Sequence, residues 1–318
     1  MSDLVNADNF NRAESDMHFA EVVEEGGFAR FEHHREVMPV ERQMVRRGSR
    51  DTLTSVAVFD LDAGPVTVSM PDPGHRFMSL SVIDEEQFVV SVSYGAGTHR
   101  FTRDQVGTRY VMMVGRTMVD PADPHDVAQA RAAQDAIKTK QQGPGRFEVP
   151  RWDRDSQRKI REALLVLAQS VHDSRRMFGP RVQVDPVRHL IGTAMGWGRN
   201  PERDVLYLVV TPPRNDGETV YRLCLKDVPV DGFWSISVYN ERGYFEPNIH
   251  NVYSINSVTA KKSKDGSVVV HFGGFSAKRP NSIPTPHNWN YMVRLYRPRP
   301  AVLNGQWTFP AAEPLQGT

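Results

Sequence analysis

Apolar and polar residues alternate with a period of two over short stretches in two separate parts of the chain. Val56-Ala57-Val58-Phe59-Asp60-Leu61 ends at the turn Asp62-Ala63-Gly64-Pro65. Val66-Thr67-Val68-Ser69-Met70 comes next, before a second turn at Pro71-Asp72-Pro73-Gly74. Alternation bounded by turn residues predicts hairpins of half-buried strands. The next stretch, Phe77-Met78-Ser79-Leu80-Ser81-Val82-Ile83-Asp84, returns later as Phe233-Trp234-Ser235-Ile236-Ser237-Val238-Tyr239-Asn240. Pro73 and Pro229 stand at the same offset before the two copies, and Val66–Met70 and Tyr221–Leu225 precede them. A repeat of this length predicts two related β units. Met78, Leu80, Trp234, Ile236 and Val238 share one face and are expected in the core. Ser79, Ser81, Ser235 and Ser237 share the other face with Phe77 and Phe233, which is expected to meet solvent or line a cleft.

Between these regions the spacing turns helical. Residues 12–37 carry Met17, Phe19, Ala20, Val23, Phe28 and Phe31 among charged neighbours, and Gly26-Gly27 divides them into two expected short helices. His125–Lys140 reads as an exposed helix capped by Asp123 or Asp120. Asp155–Met177 is the strongest helix, with Ile160, Ala163, Leu164, Leu167 and Val171 on one face, expected to pack on the β units. From Val205 onward short strands and turns resume. The order is helices, β unit, helices, β unit.

Charge changes this picture little. The 39 lysines and arginines balance 38 acids, so no net field recruits nucleic acid or an anionic membrane. Arg42, Arg46, Arg47 and Arg50 cluster, but acids are interspersed through the chain. Cys224 is alone, cannot form an internal disulfide, and reads as a small buried hydrophobe. Met1–Asn11 lacks the apolar core of a secretory signal, and no stretch is apolar enough for a membrane span. The expected protein is soluble and cytoplasmic, with no nucleic-acid or membrane partner; a homodimer is compatible with the sequence.

Several ordered motifs carry a family resemblance. Gly192–Gly198, Phe233–Tyr239, Asn248, Tyr253-Ser254-Ile255-Asn256-Ser257, Arg294-Leu295-Tyr296-Arg297-Pro298-Arg299-Pro300 and Gly305-Gln306-Trp307 resemble the DUF1214 family. Arg50-Asp51-Thr52-Leu53, Asp60-Leu61, Gly64-Pro65-Val66, Pro71, Arg76-Phe77, Asp84, Gly115-Arg116-Thr117 and Asp126-Val127 resemble its companion DUF1254. The resemblance runs over residues 40–312 and implies a mainly β fold. Two jelly-roll-like β-sandwich domains are expected, with N-terminal and intervening helical segments. The implied division is a helical lead-in at 1–49, a DUF1254-like β domain at 50–120, a helical connector at 121–180 and a DUF1214-like sandwich at 181–318. Thr54, Val252 and Ile283 depart from the aromatic, arginine and tryptophan usual at those positions. The resemblance supplies no reaction.

No G-x-S-x-G elbow, H-E-x-x-H helix, P-loop or dinucleotide fingerprint is present, which argues against those enzyme classes and against their cofactors. His33-His34 with Glu36 reads as part of the early helix, where adjacent residues point apart. His250, His271 and His287 belong to the second β unit and could converge on a metal. Arg50 and Asp51 stand where the helical lead-in meets the first strand, and such a pair can organise a polar pocket. The expected catalytic groups are Arg50, Asp51, Asp84, Tyr239 and His250, for acid–base work. Ser79, Ser81, Ser235, Ser237, Asn240, Tyr253, Asn256 and Trp289 are expected to contact a small-molecule or carbohydrate ligand. These expectations describe a hydrolase or lyase acting on a small or oligomeric polar substrate in an inter-domain cleft. The alternatives are a non-catalytic carbohydrate or small-ligand binder, and a metal-dependent enzyme using the C-terminal histidines.

Overall fold

The structure, a computed structural model, describes residues 2–43, 46–171 and 173–315. It is mainly β and divides into two compact units that are not serial in the chain. Unit 1 comprises Met1–Glu36 with Thr52–Pro201, and unit 2 comprises Val37–Asp51 with Glu202–Thr318. The segment before the first long strand of unit 1 therefore belongs to unit 2.

Unit 1 contains β1 (Glu32–His33), β2 (Thr52–Asp60), β3 (Val66–Met70), β4 (Met78–Asp84), β5 (Val89–Tyr94), β6 (Gly97–Phe101), β7 (Tyr110–Met118) and β8 (Lys138–Lys140). A five-stranded sheet runs β1-β2-β7-β4-β5 and a three-stranded sheet runs β6-β3-β8. Phe59, Val66, Val68, Leu80, Val82 and Met113 fill the space between them. On the outer face of the larger sheet, Phe19 and Val22 of α1 (Phe10–Glu24) pack on Val58, Tyr110 and Met112.

Unit 2 contains β9 (Val205–Val210), β10 (Tyr221–Leu225), β11 (Trp234–Tyr239), β12 (Ser254–Asn256), β13 (Val268–Phe272), β14 (Ser282–Ile283), β15 (Asn290–Tyr296) and β16 (Glu313–Pro314). Its sheets run β12-β11-β15-β9 and β14-β13-β10-β16. Leu223, Leu225, Ile236, Val270 and Val293 form the core between them. Cys224 departs from expectation: Tyr221, Leu223 and Leu225 take the core side of β10, so Cys224 alternates outward and is exposed.

The two units share one strand order. β2-β7-β4-β5 corresponds to β9-β15-β11-β12, and β6-β3-β8 to β13-β10-β16. The repeated strands β4 and β11 hold the same place, and the pairing agrees residue by residue. Ser79 faces Arg116 across β4 and β7, and Ser235 faces Arg294 across β11 and β15. The repeat also extends to an element not anticipated from the sequence. Arg50-Asp51-Thr52-Leu53 leads into β2, and Arg203-Asp204-Val205-Leu206 leads into β9. Thr52 pairs with Met118 and Val205 with Tyr296, each two residues beyond the respective arginine.

The helices are α1, α2 (Arg103–Val106), α3 (Pro124–Asp135), α4 (Arg154–Leu167), α5 (Pro186–Gly196) and α6 (Pro300–Leu303). Asp123, Asp153 and Asp185 cap α3, α4 and α5 by accepting from N–H groups of the first turn. Only one helix, not two, forms before residue 37. Gly26 takes φ +98°, and a Cβ on Gly27 would meet Val22 Cγ1 at 2.6 Å, so the chain turns tightly back onto β2 and continues as β1. His33 therefore lies on a strand, with Nδ1 at 2.8 Å from Ser55 Oγ, and His34 and Glu36 come after it outside any helix. The predicted helix at 125–140 ends at Asp135, and 138–140 pairs as β8.

α4 ends ten residues before Met177, in a 3-10 turn at Ala168–Ser170; His172, inside the predicted helix, lies outside the described residues. Its buried face meets helices rather than sheets: Leu164 packs with Phe10, Ala13, Met177 and Ile191. Leu167, expected on that face, is 54% exposed. Among the described residues no helix is long and apolar enough to cross a membrane. Leu164→Ala is expected to cost roughly 2–5 kcal/mol by cavity formation, whereas Leu167→Ala should leave the urea midpoint almost unchanged. Equal shifts in urea unfolding would contradict this packing.

Candidate functional site

Arg50, Asp51, Ser235, Ser237, Tyr239, Tyr253 and Asn256 of the expected site residues gather at the outer face of the β12-β11-β15-β9 sheet, around an arginine to which the sequence pattern assigns no role. Arg294 is the one charged residue of β15, and its position puts it opposite Ser235 and Tyr207. Arg294 is 3% exposed. Its Nη1 donates to Ser237 Oγ at 3.0 Å, and its Nη2 donates to Arg47 O at 2.6 Å, Gly48 O at 2.9 Å and the Tyr239 hydroxyl at 2.7 Å. The Tyr239 hydroxyl in turn donates to Gly48 O. Burial weighs against the guanidinium charge, but the oxygens of Tyr239 and Tyr296 and the Asp51 carboxylate outweigh it and hold the pKa above the ordinary arginine value.

Asp51 is 1% exposed and accepts from Asn256 Nδ2 at 3.1 Å and Ser49 Oγ at 2.8 Å. Arg50 turns the other way, donating to Met38 O and lying 5.3 Å over the Tyr253 ring. Val40, Tyr239, Phe245, Tyr253 and Met292 close this face with an apolar cluster. The serine face thus meets neither solvent nor an open cleft: Ser235 and Ser237 are fully buried, because residues 37–51 cover them. Ser235 Oγ has no hydrogen-bond partner among the described residues.

Other expected residues stand apart from this network. Asn240 organises a turn by accepting from the N–H groups of Arg242 and Tyr244. Trp289 is fully buried in the core between the sheets, against Tyr221 and Phe272. His250 is exposed and stacks on Phe275, with ring centroids 3.9 Å apart. Among the described residues no three His, Cys, Asp or Glu side chains are grouped to hold a metal, so His250, His271 and His287 do not converge.

In unit 1 the equivalent row across the sheet is Thr54, Arg116, Ser79 and Tyr94. Ser79 and Ser81 are fully buried, like their counterparts. Ser81 donates to Asn200 Oδ1 at 2.7 Å, and Arg116 donates to Ser81 Oγ at 3.3 Å and Gly198 O at 3.2 Å. Ser79 Oγ, at the position of Ser235, also has no partner among the described residues.

Asp84 sits at the far end of β4, where Gln87 adopts φ +65° in a tight turn. It is 4% exposed, and its Oδ1 accepts from Glu86 N at 2.9 Å and Phe88 N at 2.8 Å. Burial pushes its pKa up to about 7 despite these N–H groups and the nearby Arg181. Burial likewise raises Glu85. Asp16 on α1 is raised to about 6 by burial, although Trp152 Nε1 donates to it at 2.8 Å. Arg12 links this group, reaching Glu85 at 3.2 Å and Glu86 at 2.6 Å. Asp16 and Glu85 are not among the residues expected from the sequence: their burial comes from how α1 packs, which no local motif announces.

Residues 28–141 match the family model for DUF1254, a protein of unknown function, and residues 213–300 match that for DUF1214, likewise of unknown function. The chain thus carries a DUF1254 region and, after it, a DUF1214 region. Among solved structures it is similar to the VPA0106 protein from Vibrio parahaemolyticus, at 18% identity and TM-score 0.73, covering 97% of each chain. It is also similar to an uncharacterised protein from Burkholderia cenocepacia, at 10% identity and TM-score 0.54, covering 97% of this chain and 87% of that one. At these identities the likeness establishes the fold. No curated protein matches the chain.

The two serines opposite Arg294 should respond differently to truncation. Ser237→Ala removes an acceptor from a buried guanidinium and should cost about 1–3 kcal/mol, whereas Ser235→Ala removes an unpartnered hydroxyl and should be neutral or slightly stabilising in urea unfolding. The acids of unit 1 set a pH dependence. Asp16 and Asp84 hold a proton more tightly folded than unfolded, so that stabilisation is complete below the unfolded carboxylate range. It is lost as pH rises through about 6 and 7. Asp16→Asn can still accept from Trp152. It should melt like the wild type at acid pH and exceed it at alkaline pH by on the order of 3 kcal/mol; a constant difference across pH would contradict the shift.

Proposed function

We propose that the protein is an enzyme of hydrolase or lyase type, acting on a small or oligomeric polar substrate, with Asp84 as its general acid–base group. The observation that supports this is a single nearly buried carboxyl held at about 7 in unit 1. A group with that pKa exists in both protonation states near neutral pH, the condition under which proton transfer is most efficient. Its Oδ1 is fixed by two backbone N–H groups, so the carboxyl is oriented as well as tuned. In hydrolysis such a group takes a proton from the attacking water or gives one to the leaving group, and in elimination it takes the proton from carbon as the leaving group departs; neither requires a nucleotide or dinucleotide, in keeping with the absence of those motifs. In this reading Asp51, Arg50 and Tyr239 hold the segment before β2 in place and do not touch substrate.

A second reading, a non-catalytic carbohydrate binder, is favoured by the Phe77 and Tyr94 rings, 5.7 Å apart beside the serine row. Aromatic rings next to hydroxyls suit the alternating apolar and polar faces of a sugar.

The test is Asp84→Asn, which retains the acceptor for both N–H groups and removes the titration. The wild type is screened for turnover of polysaccharides, uronate-containing oligosaccharides and p-nitrophenyl esters. On the best substrate, Asp84→Asn should lose about 10²–10⁴-fold in kcat, along with the pH-profile limb near neutrality, while its melting temperature matches the wild type at acid pH and is no lower at neutral pH. Full turnover in the variant would reduce Asp84 to a turn organiser. Saturable sugar binding without turnover would favour the second reading.

A further inference from the structure

Arg116 and Arg294 occupy the same place in the same topology, yet their surroundings differ in charge. Arg294 is enclosed, has four acceptors and feels the Asp51 carboxylate. Arg116 is half-buried, and among the described residues no carboxylate lies within ion-pair distance of it. Of the five N–H donors a guanidinium carries, Arg116 commits two, at 3.3 Å to Ser81 Oγ and 3.2 Å to Gly198 O. Both contacts are longer than any that Arg294 makes. The other three donors remain for a further acceptor.

The residues around Arg116 are also less bulky. Where Tyr207 stands beside Arg294, Thr54 stands beside Arg116. On the opposite side lies Ser79, whose hydroxyl is buried without a partner among the described residues. Beyond it lie Tyr94 and Phe77, both partly buried, with ring centroids 5.7 Å apart. A half-buried cation without a counter-charge carries a desolvation cost that an arriving anion would relieve. A guanidinium fork also matches the two oxygens of a carboxylate or phosphate.

We propose that Arg116 anchors a binding site in unit 1 for small molecules that carry an oxyanion, a carboxylate or a phosphate monoester. Thr54 supplies the room, and the buried Ser79 hydroxyl stands beside the fork. The site is separate from Asp84 and does not depend on its catalytic role.

The test is titration calorimetry of the full chain with glucuronate, glucose 6-phosphate and glucose. Saturable binding of glucuronate alone identifies a carboxylate site, of glucose 6-phosphate alone a phosphate site, and of both a general oxyanion site; glucose should not bind measurably. Arg116→Gln should weaken binding at least tenfold, while Arg100→Gln, an exposed arginine on β6, should leave it unchanged. Thr54→Tyr installs the bulk found in unit 2 and should block binding with the arginine still present, which decides the matter if Arg116→Gln fails to fold. Absence of saturable binding by either anion would overturn the proposal. So would equal losses in Arg116→Gln and Arg100→Gln, or full affinity in Thr54→Tyr.

Discussion

A guanidinium that is almost fully buried must find its acceptors and a balancing charge inside the protein, and Arg294 imposes that requirement on unit 2. The sheet itself offers only Ser237 and Tyr239. The remaining acceptors are the carbonyls of Arg47 and Gly48, and the nearby negative charge is that of Asp51. These contacts, with the Val40 cluster and the bonds of Gln43 to the Phe245 backbone, hold residues 37–51 in unit 2 although they precede the first long strand of unit 1. Asp51 directly precedes Thr52, the first residue of β2.

Unit 1 shows what the fold does when this requirement is relaxed. Its arginine is met by a carbonyl, Gly198 O, from a segment that likewise precedes a first strand, β9. Asn200 stands close by, accepting from Ser81. An amide there satisfies a hydroxyl but supplies no charge. A repeated scaffold has therefore been kept in strand order and register while the polar row on one face has diverged. Packing constrains the inner faces on both sides, and the outer row answers only to whatever covers it.

This difference between inner and outer faces also decides what is legible in the sequence. Alternation at Met78, Leu80, Trp234 and Ile236 is a local signal with a period of two, and all four sit in cores between sheets. The serines alternate just as cleanly, but a local pattern says only that they face away from the core. That residues 37–51 cover Ser235 and Ser237 is a long-range fact. The Arg-Asp pair before β2 is legible, whereas its copy before β9 is obscured by Glu202 and Val205. The break at Gly26-Gly27 is legible too. The segment after that break is a strand because β2 offers an unpaired edge, which helical spacing in one segment cannot reveal. The buried Arg294 is visible as a lone charge within Tyr291-Met292-Val293-Arg294-Leu295-Tyr296. A charge inside an apolar strand signals a polar network behind it.

The carboxylates of unit 1 complete the contrast. Asp60 is as buried as Asp84, but Arg109 reaches both of its oxygens, at 3.1 Å and 2.9 Å. Burial alone would raise it, and the guanidinium with the N–H groups of Arg146 and Asp62 brings its pKa below the ordinary value. Asp84 receives only N–H groups and the field of Arg181, and Asp16 an indole N–H and the field of Arg12 set against those of Glu85 and Glu86, so for both burial wins. The same fold therefore demonstrates that it can ionise a buried acid when a guanidinium is placed against it. Where two acids are left without that support, folding stability is lower at neutral and alkaline pH than it need be. A packing requirement would be met as well by asparagine, which keeps the same acceptor. What asparagine cannot do is change protonation state, and that property is the one the Asp84 environment preserves.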